Sequence, residues 1–228
     1  RMSAGRGEQR LRDKSPAYYK WMYLDNPAGD AIVYSAGRDG KVISSFAVAP
    51  KLVQIDGRRI TLGKTMDMFT DPDYQGIGLI KRCTEAVFRD ARAAGMEGWY
   101  VTPSVNSYPI FTGKWGYREA FHLVYRARIL DYSSVLGVLV GRLGIGRVLG
   151  GVVDAVRRLR PGRPFQLPAG WAAKEVTAFD ARADRLWDEV GGGYRVAMIR
   201  NADYLNWRYV RNPDAYTLIE LTHGSHLV

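Results

Sequence analysis

Apolar positions in this chain follow two periods, and the changes of period mark out its elements. Tyr18, Trp21 and Met22 stand at helical spacing, with Ser15 as N-cap and Pro16 at the first helical position. Pro27 and Gly29 end that helix. Residues 31–36 and 41–49 read as two strands around the turn Asp39-Gly40. A second Asp-Gly, at 56–57, turns "KLVQI" into "RRITLGKTMDMFT", so 31–70 is predicted to be an antiparallel meander. The helical period returns with Leu79 or Ile80, Cys83, Val87, Ala91 and Ala94, and Gly95 stops it. "GWYVT" then reads as a short strand, "NSYPIFTGKWGY" as a short helix with a turn, and "FHLVYRARIL" as a final alternating strand. This order is mixed α/β, without the regular βαβ repeat of a doubly wound sheet.

Residues 133–160 have a different character, rich in Gly, Val, Leu and Arg. Val135, Leu139, Ile145, Leu149, Val152 and Val156 can share one face of an amphipathic helix, interrupted by Arg142. Such a face either packs on its own protein or lies at an anionic lipid surface. Its glycines weaken a helix by about 1 kcal/mol each relative to alanine. "RPGRPFQLPAG" (160–170) reads as a Pro/Gly linker. Beyond it "YLNWRYVRNP" echoes the earlier "YYKWMYLDNP". Trp21 matches Trp207, Tyr23 matches Tyr209, and Asn26-Pro27 matches Asn212-Pro213, a structural repeat of helix, Asn-Pro turn and strand.

With 228 residues, 46% of them hydrophobic, the chain can bury a core. It has no apolar run long enough to span a membrane and no apolar segment of signal-peptide type near residue 1. Cys83 is the only cysteine, which excludes an intrachain disulfide and suits a reducing, cytoplasmic setting. The net charge of +10 attracts polyanions, and residues 142–163 hold six arginines against one aspartate. No nucleic-acid-binding spacing accompanies that charge, so a nucleic-acid partner is not expected. With three histidines and one cysteine, no metal site is expected either.

The candidate chemistry lies in "DPDYQGIGLIKRC" (71–83). Two glycines stand where a helix begins, with no Ser or Thr cap. A helix N-terminus presents unpaired N–H groups and a partial positive charge, so an anion can serve as the cap. The alternative is an ordinary tight turn. The stretch completes neither a Walker-type phosphate loop nor a dinucleotide fingerprint.

Gln75-Gly76-Ile77-Gly78-Leu79-Ile80, with the lead-in Pro72-Asp73-Tyr74, resembles the pyrophosphate loop of the Gcn5-related N-acetyltransferase (GNAT) superfamily. Gln75 and Gly78 fit its pattern, and Ile80 replaces the usual small residue. The strand at 98–102, then Asn106, Phe111 and Gly116-Tyr117, extend the resemblance over residues 31–130. The "WMYLDNPAG" and "NSYPIF" segments are similar to those of bacterial members linked to surface polysaccharide synthesis. The resemblance implies an α+β fold with a mostly antiparallel, splayed central sheet flanked by helices, followed by a partial second GNAT-like half. The expected organisation is an acetyl-CoA-binding domain at 1–132, an amphipathic helix and linker at 133–170, and the partial half at 171–228.

The function so implied is acetyl transfer from acetyl-CoA, as co-substrate, to a small-molecule primary amine, such as an amino sugar of polysaccharide or cell-envelope synthesis. Alternatives are a non-catalytic CoA-binding or membrane-docking module and an aminoacyl transferase acting on cell-wall precursors. Gln75, Gly76, Ile77, Gly78, Leu79 and Ile80 would hold the pyrophosphate, and Lys81 and Arg82 the 3′-phosphate. Met68 and Thr70 would pair with pantetheine, with Asn106 and Phe111 also against the cofactor. Asp67 is the candidate base, while Tyr108 would stand in as an acid because Phe111 occupies the place of the family's tyrosine. Asn106, also a candidate for the catalytic set, would bond the pantetheine or the acetyl-binding backbone. A cytoplasmic protein, peripheral to the inner membrane face through 133–160, and a homodimer complete the expectations.

Overall fold

The computed structural model describes residues 15–122, 132–139, 145–159 and 166–228. The described residues form two compact units, one from 15–102 together with 169–228, the other from those described between 103 and 168.

The first unit opens with α1 (Pro16–Tyr23), capped by the Ser15 side chain, which accepts from the Tyr18 amide at 3.2 Å. The meander follows as β1 (Ile32–Arg38), β2 (Lys41–Ile55) and β3 (Arg58–Thr70), all antiparallel neighbours. Helix α2 (Leu79–Ala93) then crosses one face, and β4 (Gly98–Tyr100) returns parallel to β3. This is the mixed sheet flanked by helices that the sequence implied.

Register fixes the two faces. Phe46 lies edge-on to Phe88 of α2, and Phe88 stacks on Trp99 with centroids 4.2 Å apart. Cys83, Thr84, Val87 and Ala91 of α2 are buried against this face. At Gly63 a Cβ would stand 2.5 Å from Val48 Cγ1, so only glycine lets the strands close here.

The later residues of the unit are β5 (Trp171–Val176), α5 (Ala181–Gly191), β6 (Val196–Met198), α6 (Ala202–Leu205), a π-helical turn over Asn206–Val210, β7 (Leu218–His223) and β8 (His226–Leu227). β6 pairs with β2, joining Val53–Ile55 to Val196–Met198, so this region shares the first sheet as well as building its own, β5-β7-β8. The sequence repeat becomes a pseudo-symmetric contact. Trp21 and Trp207 stack at 4.9 Å and each donates its indole N–H to the other's carbonyl, at 2.6 and 2.9 Å. Asn26 and Asn212, both buried, accept from the amide two residues on, the same turn twice.

In the second unit Ser104 and Ser107 cap each other reciprocally, Ser104 N–H donating to Ser107 Oγ at 2.9 Å and Ser107 N–H to Ser104 Oγ at 3.3 Å. The helix expected to start at Asn106 is therefore led by Ser104. It becomes a π-helical turn over Ile110–Lys114. The single helix expected over 133–160 is two: α3 (Tyr132–Leu139) and α4 (Ile145–Leu159). Asp154 of α4 accepts the Tyr132 and Ser133 amides at 3.0 and 2.9 Å, capping α3 from its neighbour. A Cβ at Gly150 would lie 2.4 Å from Ser133 Cα, so one of the glycines that weaken a long helix lets two short ones touch. The strand expected at 121–130 falls almost wholly outside the described residues.

Candidate active site

The site is built where β3 and β4 part. The two strands pair at only three positions, Leu62 with Gly98, Gly63 with Trp99 and Lys64 with Tyr100. One further tie, from Thr65 Oγ1 to the Tyr100 carbonyl at 3.2 Å, closes the pairing. Beyond it no strand among the described residues joins Met66–Thr70 on that side. A polar edge of backbone is thus left open to an extended ligand.

Within this open stretch β3 carries a bulge. Ser45 pairs with Phe69 and Ala47 with Met66, so Asp67 and Met68 together oppose Phe46 alone. Asp67 takes φ 47°, a left-handed conformation that Asp tolerates better than most residues. The bulge turns the half-buried Asp67 toward α1, where Tyr23 donates its hydroxyl proton to Oδ2. Burial, and then this bond to a carboxylate, pushes the Tyr23 pKa well above the ordinary phenol. The sequence did not single out Tyr23 for chemistry; its recurrence as Tyr209 suggested an anchor.

β3 ends at Thr70, whose Oγ1 meets Ser44 Oγ at 3.0 Å and whose carbonyl accepts from Gln75 Nε2 at 3.3 Å. Asp71 caps the short turn Pro72–Tyr74 by accepting from the Asp73 amide. Gly76 and Gly78 both take φ 82°, and a Cβ at either would meet nothing within 4 Å. Gly78 is the N-cap of α2 and supplies no side chain to it. Among the described residues, the amides of Gly76 through Lys81 donate to no protein acceptor outside the helix, which begins with Arg82 N–H to the Gly78 carbonyl. Six consecutive N–H groups, on exposed or half-exposed residues at the positive end of a 15-residue helix, make a cradle for an anion. Lys81 pairs loosely with Glu85 at 3.8 Å, its ammonium still exposed.

Residues 9–120 match the family model of the acetyltransferase (GNAT) domain. GNAT acetyltransferases use acetyl-CoA as co-substrate. The GNAT match takes in the loop, the bulge and the parted strands. Solved structures similar to the chain include an acetyltransferase of Trypanosoma brucei, 22% identical over 44% of this chain and 68% of that one, with a TM-score of 0.35. They include a predicted acetyltransferase of Clostridium acetobutylicum with acetyl-CoA, 15% identical over 42% of this chain and 64% of that one, TM-score 0.37. A glucosamine-6-phosphate N-acetyltransferase of Arabidopsis thaliana is 16% identical over 44% and 67%, TM-score 0.36. The chain thus spans about two thirds of each of these structures, just under that share of the second. No curated protein sequence matches the chain.

The first unit therefore brings together Asp67, Met68, Thr70 and Gln75 to Lys81, along one strand end and the loop that follows. Asn106, Tyr108 and Phe111 belong to the second unit. There Asn106 is exposed, and Phe111 is buried edge-on against Trp115 and Tyr117, both at 5.1 Å. Tyr108 donates its hydroxyl to Glu119 Oε2 at 2.7 Å, which holds the proton on the phenol and raises its pKa. Among the described residues no cluster of His, Cys, Asp and Glu can hold a metal, and no helix is long and apolar enough to cross a membrane.

Proposed function

We propose that the protein transfers the acetyl group of acetyl-CoA to a primary amine, with an amino sugar as the acceptor class. The observation that carries this reading is the run of unpaired amides from Gly76 to Lys81 beside the parted edge of β3. The diphosphate sits on those amides, with Lys81 and Arg82 toward the 3′-phosphate. Pantetheine extends along Met68 and Thr70 as an added strand, which brings the thioester to the bulge.

There a neutral amine attacks the thioester carbonyl, the C–N bond forms, and the C–S bond breaks with departure of the CoA thiolate. Alignment of the two reactants supplies much of the rate. Asp67, directly or through one water, takes the proton that the attacking nitrogen loses. Tyr23 holds that carboxylate in place by its hydrogen bond. A thiol of pKa about 8.5 leaves without an acid, and Tyr108, committed to Glu119, is not needed. The roles expected of Asn106 and Phe111 rest on the resemblance.

Calorimetry with acetyl-CoA, paired with a thiol-release assay on a panel of primary amines, tests this. The Gly78→Trp variant, with a bulky side chain at φ 82°, should lose acetyl-CoA binding by at least about tenfold, roughly 1.4 kcal/mol. Asp67→Asn keeps the bulge and binding but should lower kcat by about 10² to 10³. Equal acetyl-CoA affinity in the wild type and Gly78→Trp would remove the assignment.

A second reading concerns location. Ile145, Val148, Leu149, Val152 and Val156 repeat along one side of α4, and each is at least half exposed. We infer that this side rests on an anionic lipid surface, drawn there by the arginines of 142–163.

A further inference from the structure

Strand register places a second group of polar residues beside the bulge. Ala49 pairs with Lys64 and Lys51 with Leu62, and Lys64 pairs in turn with Tyr100. Residues paired in register share a face, so Lys51, Lys64 and Tyr100 all lie on the side of the sheet opposite α2. The rings agree: Trp99 meets Phe88 of α2, whereas Lys51 Nζ lies 3.9 Å from the Trp207 ring centroid on the other side. This is also the side to which Asp67 turns to meet Tyr23.

The group is unusual in its charge. Lys51 is 7% exposed, and the charges that bear on it most are those of two further cations, Lys64 and Arg208. Arg208 stands over the rings of Trp21 and Tyr209 at 5.8 and 5.4 Å. The Tyr100 hydroxyl is buried and has neither donor nor acceptor among the described residues. Buried polar groups are nearly always paired, and an orphan hydroxyl on the sheet face that carries these cations, in register with Lys64, marks the place of an absent acceptor. Lys64 and Tyr100 are also the last pair before β3 and β4 separate.

We propose that the acceptor carries an anionic group, phosphate or carboxylate, held by Lys51, Lys64, Arg208 and the Tyr100 hydroxyl at the point where β3 and β4 part. This rests on the acetyl-transfer reading and names its substrate class. The anion accepts from the Tyr100 O–H and from the lysine ammonium groups, while the amine at its other end reaches Asp67. Lys64 and Asp67 are three residues apart on β3, about 10 Å at roughly 3.3 Å per residue. That separation suits a hexose with an amine near one end and an acidic group at the other.

The test uses three probes: a 2-amino-2-deoxyhexose, its 6-phosphate and its 6-carboxylate. Each is titrated by calorimetry into the whole chain, without acetyl-CoA. One or both charged probes should bind at least about tenfold tighter than the neutral sugar, and their order tells phosphate from carboxylate. Lys51→Met should abolish the preference. Tyr100→Phe, which keeps the ring and removes only the orphan hydroxyl, should weaken the favoured probe severalfold. Equal binding of all three probes by the wild type, no binding of any, or a preference that survives in Lys51→Met would overturn the proposal and leave Lys51 as a packing partner of Trp207. Titration of acetyl-CoA into the same preparations keeps the two readings apart: loss of the anion preference with acetyl-CoA still bound sinks the acceptor class alone, and absence of acetyl-CoA binding sinks acetyl transfer.

Discussion

At the scale of single residues, the group most out of its element is Lys51. Burial, with Lys64 and Arg208 nearby, brings its pKa from 10.5 down to about 7. In the unfolded chain the same lysine keeps its proton up to its ordinary value. Between pH 7 and 10.5 the unfolded state therefore binds one more proton than the folded one, and stability rises with pH across that window. Below pH 7 both states are protonated, and the full cost of the buried charge is felt. Urea unfolding at pH 7 and pH 9.5 should show the wild type gaining stability by a few kcal/mol from this group. Lys51→Met should be more stable than the wild type at pH 7 and should lose this part of the pH slope. A wild-type profile that falls over this window, matched by the variant, would contradict the assigned environment. Lys51 is also where sequence and structure part company. A lone lysine inside "FAVAPKLVQI" is a visible signal, since every neighbour on its face is apolar. What the sequence does not display is that its partners, Lys64 and Arg208, come from another strand and from a turn 157 residues further on.

At the scale of elements, short-range patterns were legible and long-range ones were not. Two Asp-Gly turns defined the meander, and both aspartates do take positive φ, Asp39 at 49° and Asp56 at 47°. The glycines at the start of α2 were legible as a missing cap, because a helix start is a local event. The bulge at Asp67 was not: it depends on register against Ser45 and Ala47, and nothing in "TMDMFT" announces it. The division of 133–160 into α3 and α4 was hidden for a similar reason, since its glycines signal weakness in one helix and close contact between two equally well. The apolar side of α4 yields a prediction at this scale. Liposomes containing anionic lipid should sediment the protein, whereas neutral liposomes should not. Replacing Val148 and Val152 by Glu, or raising the salt to about 0.5 M, should release it, because the attraction is both apolar and screened. Sedimentation unaffected by either change would exclude this surface as the contact.

At the scale of the whole molecule, the repeat ties distant parts of the first unit together. Trp207, 186 residues from Trp21, is buried against it with two indole-to-carbonyl hydrogen bonds and a stacked pair of rings. Trp21 lies on the same short helix as Tyr23, and Tyr23 holds Asp67. An eight-residue helix is too short to persist alone in water, so its placement depends on tertiary contacts such as this one. Removal of the Trp207 side chain should therefore act in two places. It should destabilise the first unit by about 3–5 kcal/mol, the usual cost of a buried Trp→Ala change. It should also loosen α1 and so lower kcat for acetyl transfer, while the amides of 76–81, fixed by α2, keep their affinity for acetyl-CoA. Trp207→Phe retains a stacking ring but loses the N–H bond, and should recover most of the stability and part of kcat. Chemical denaturation together with acetyl-CoA titration separates these effects. If Trp207→Ala weakened acetyl-CoA binding as strongly as turnover, the repeat would be holding up the whole sheet instead of positioning α1. If it changed neither stability nor turnover, the paired indoles would have no part in arranging the site.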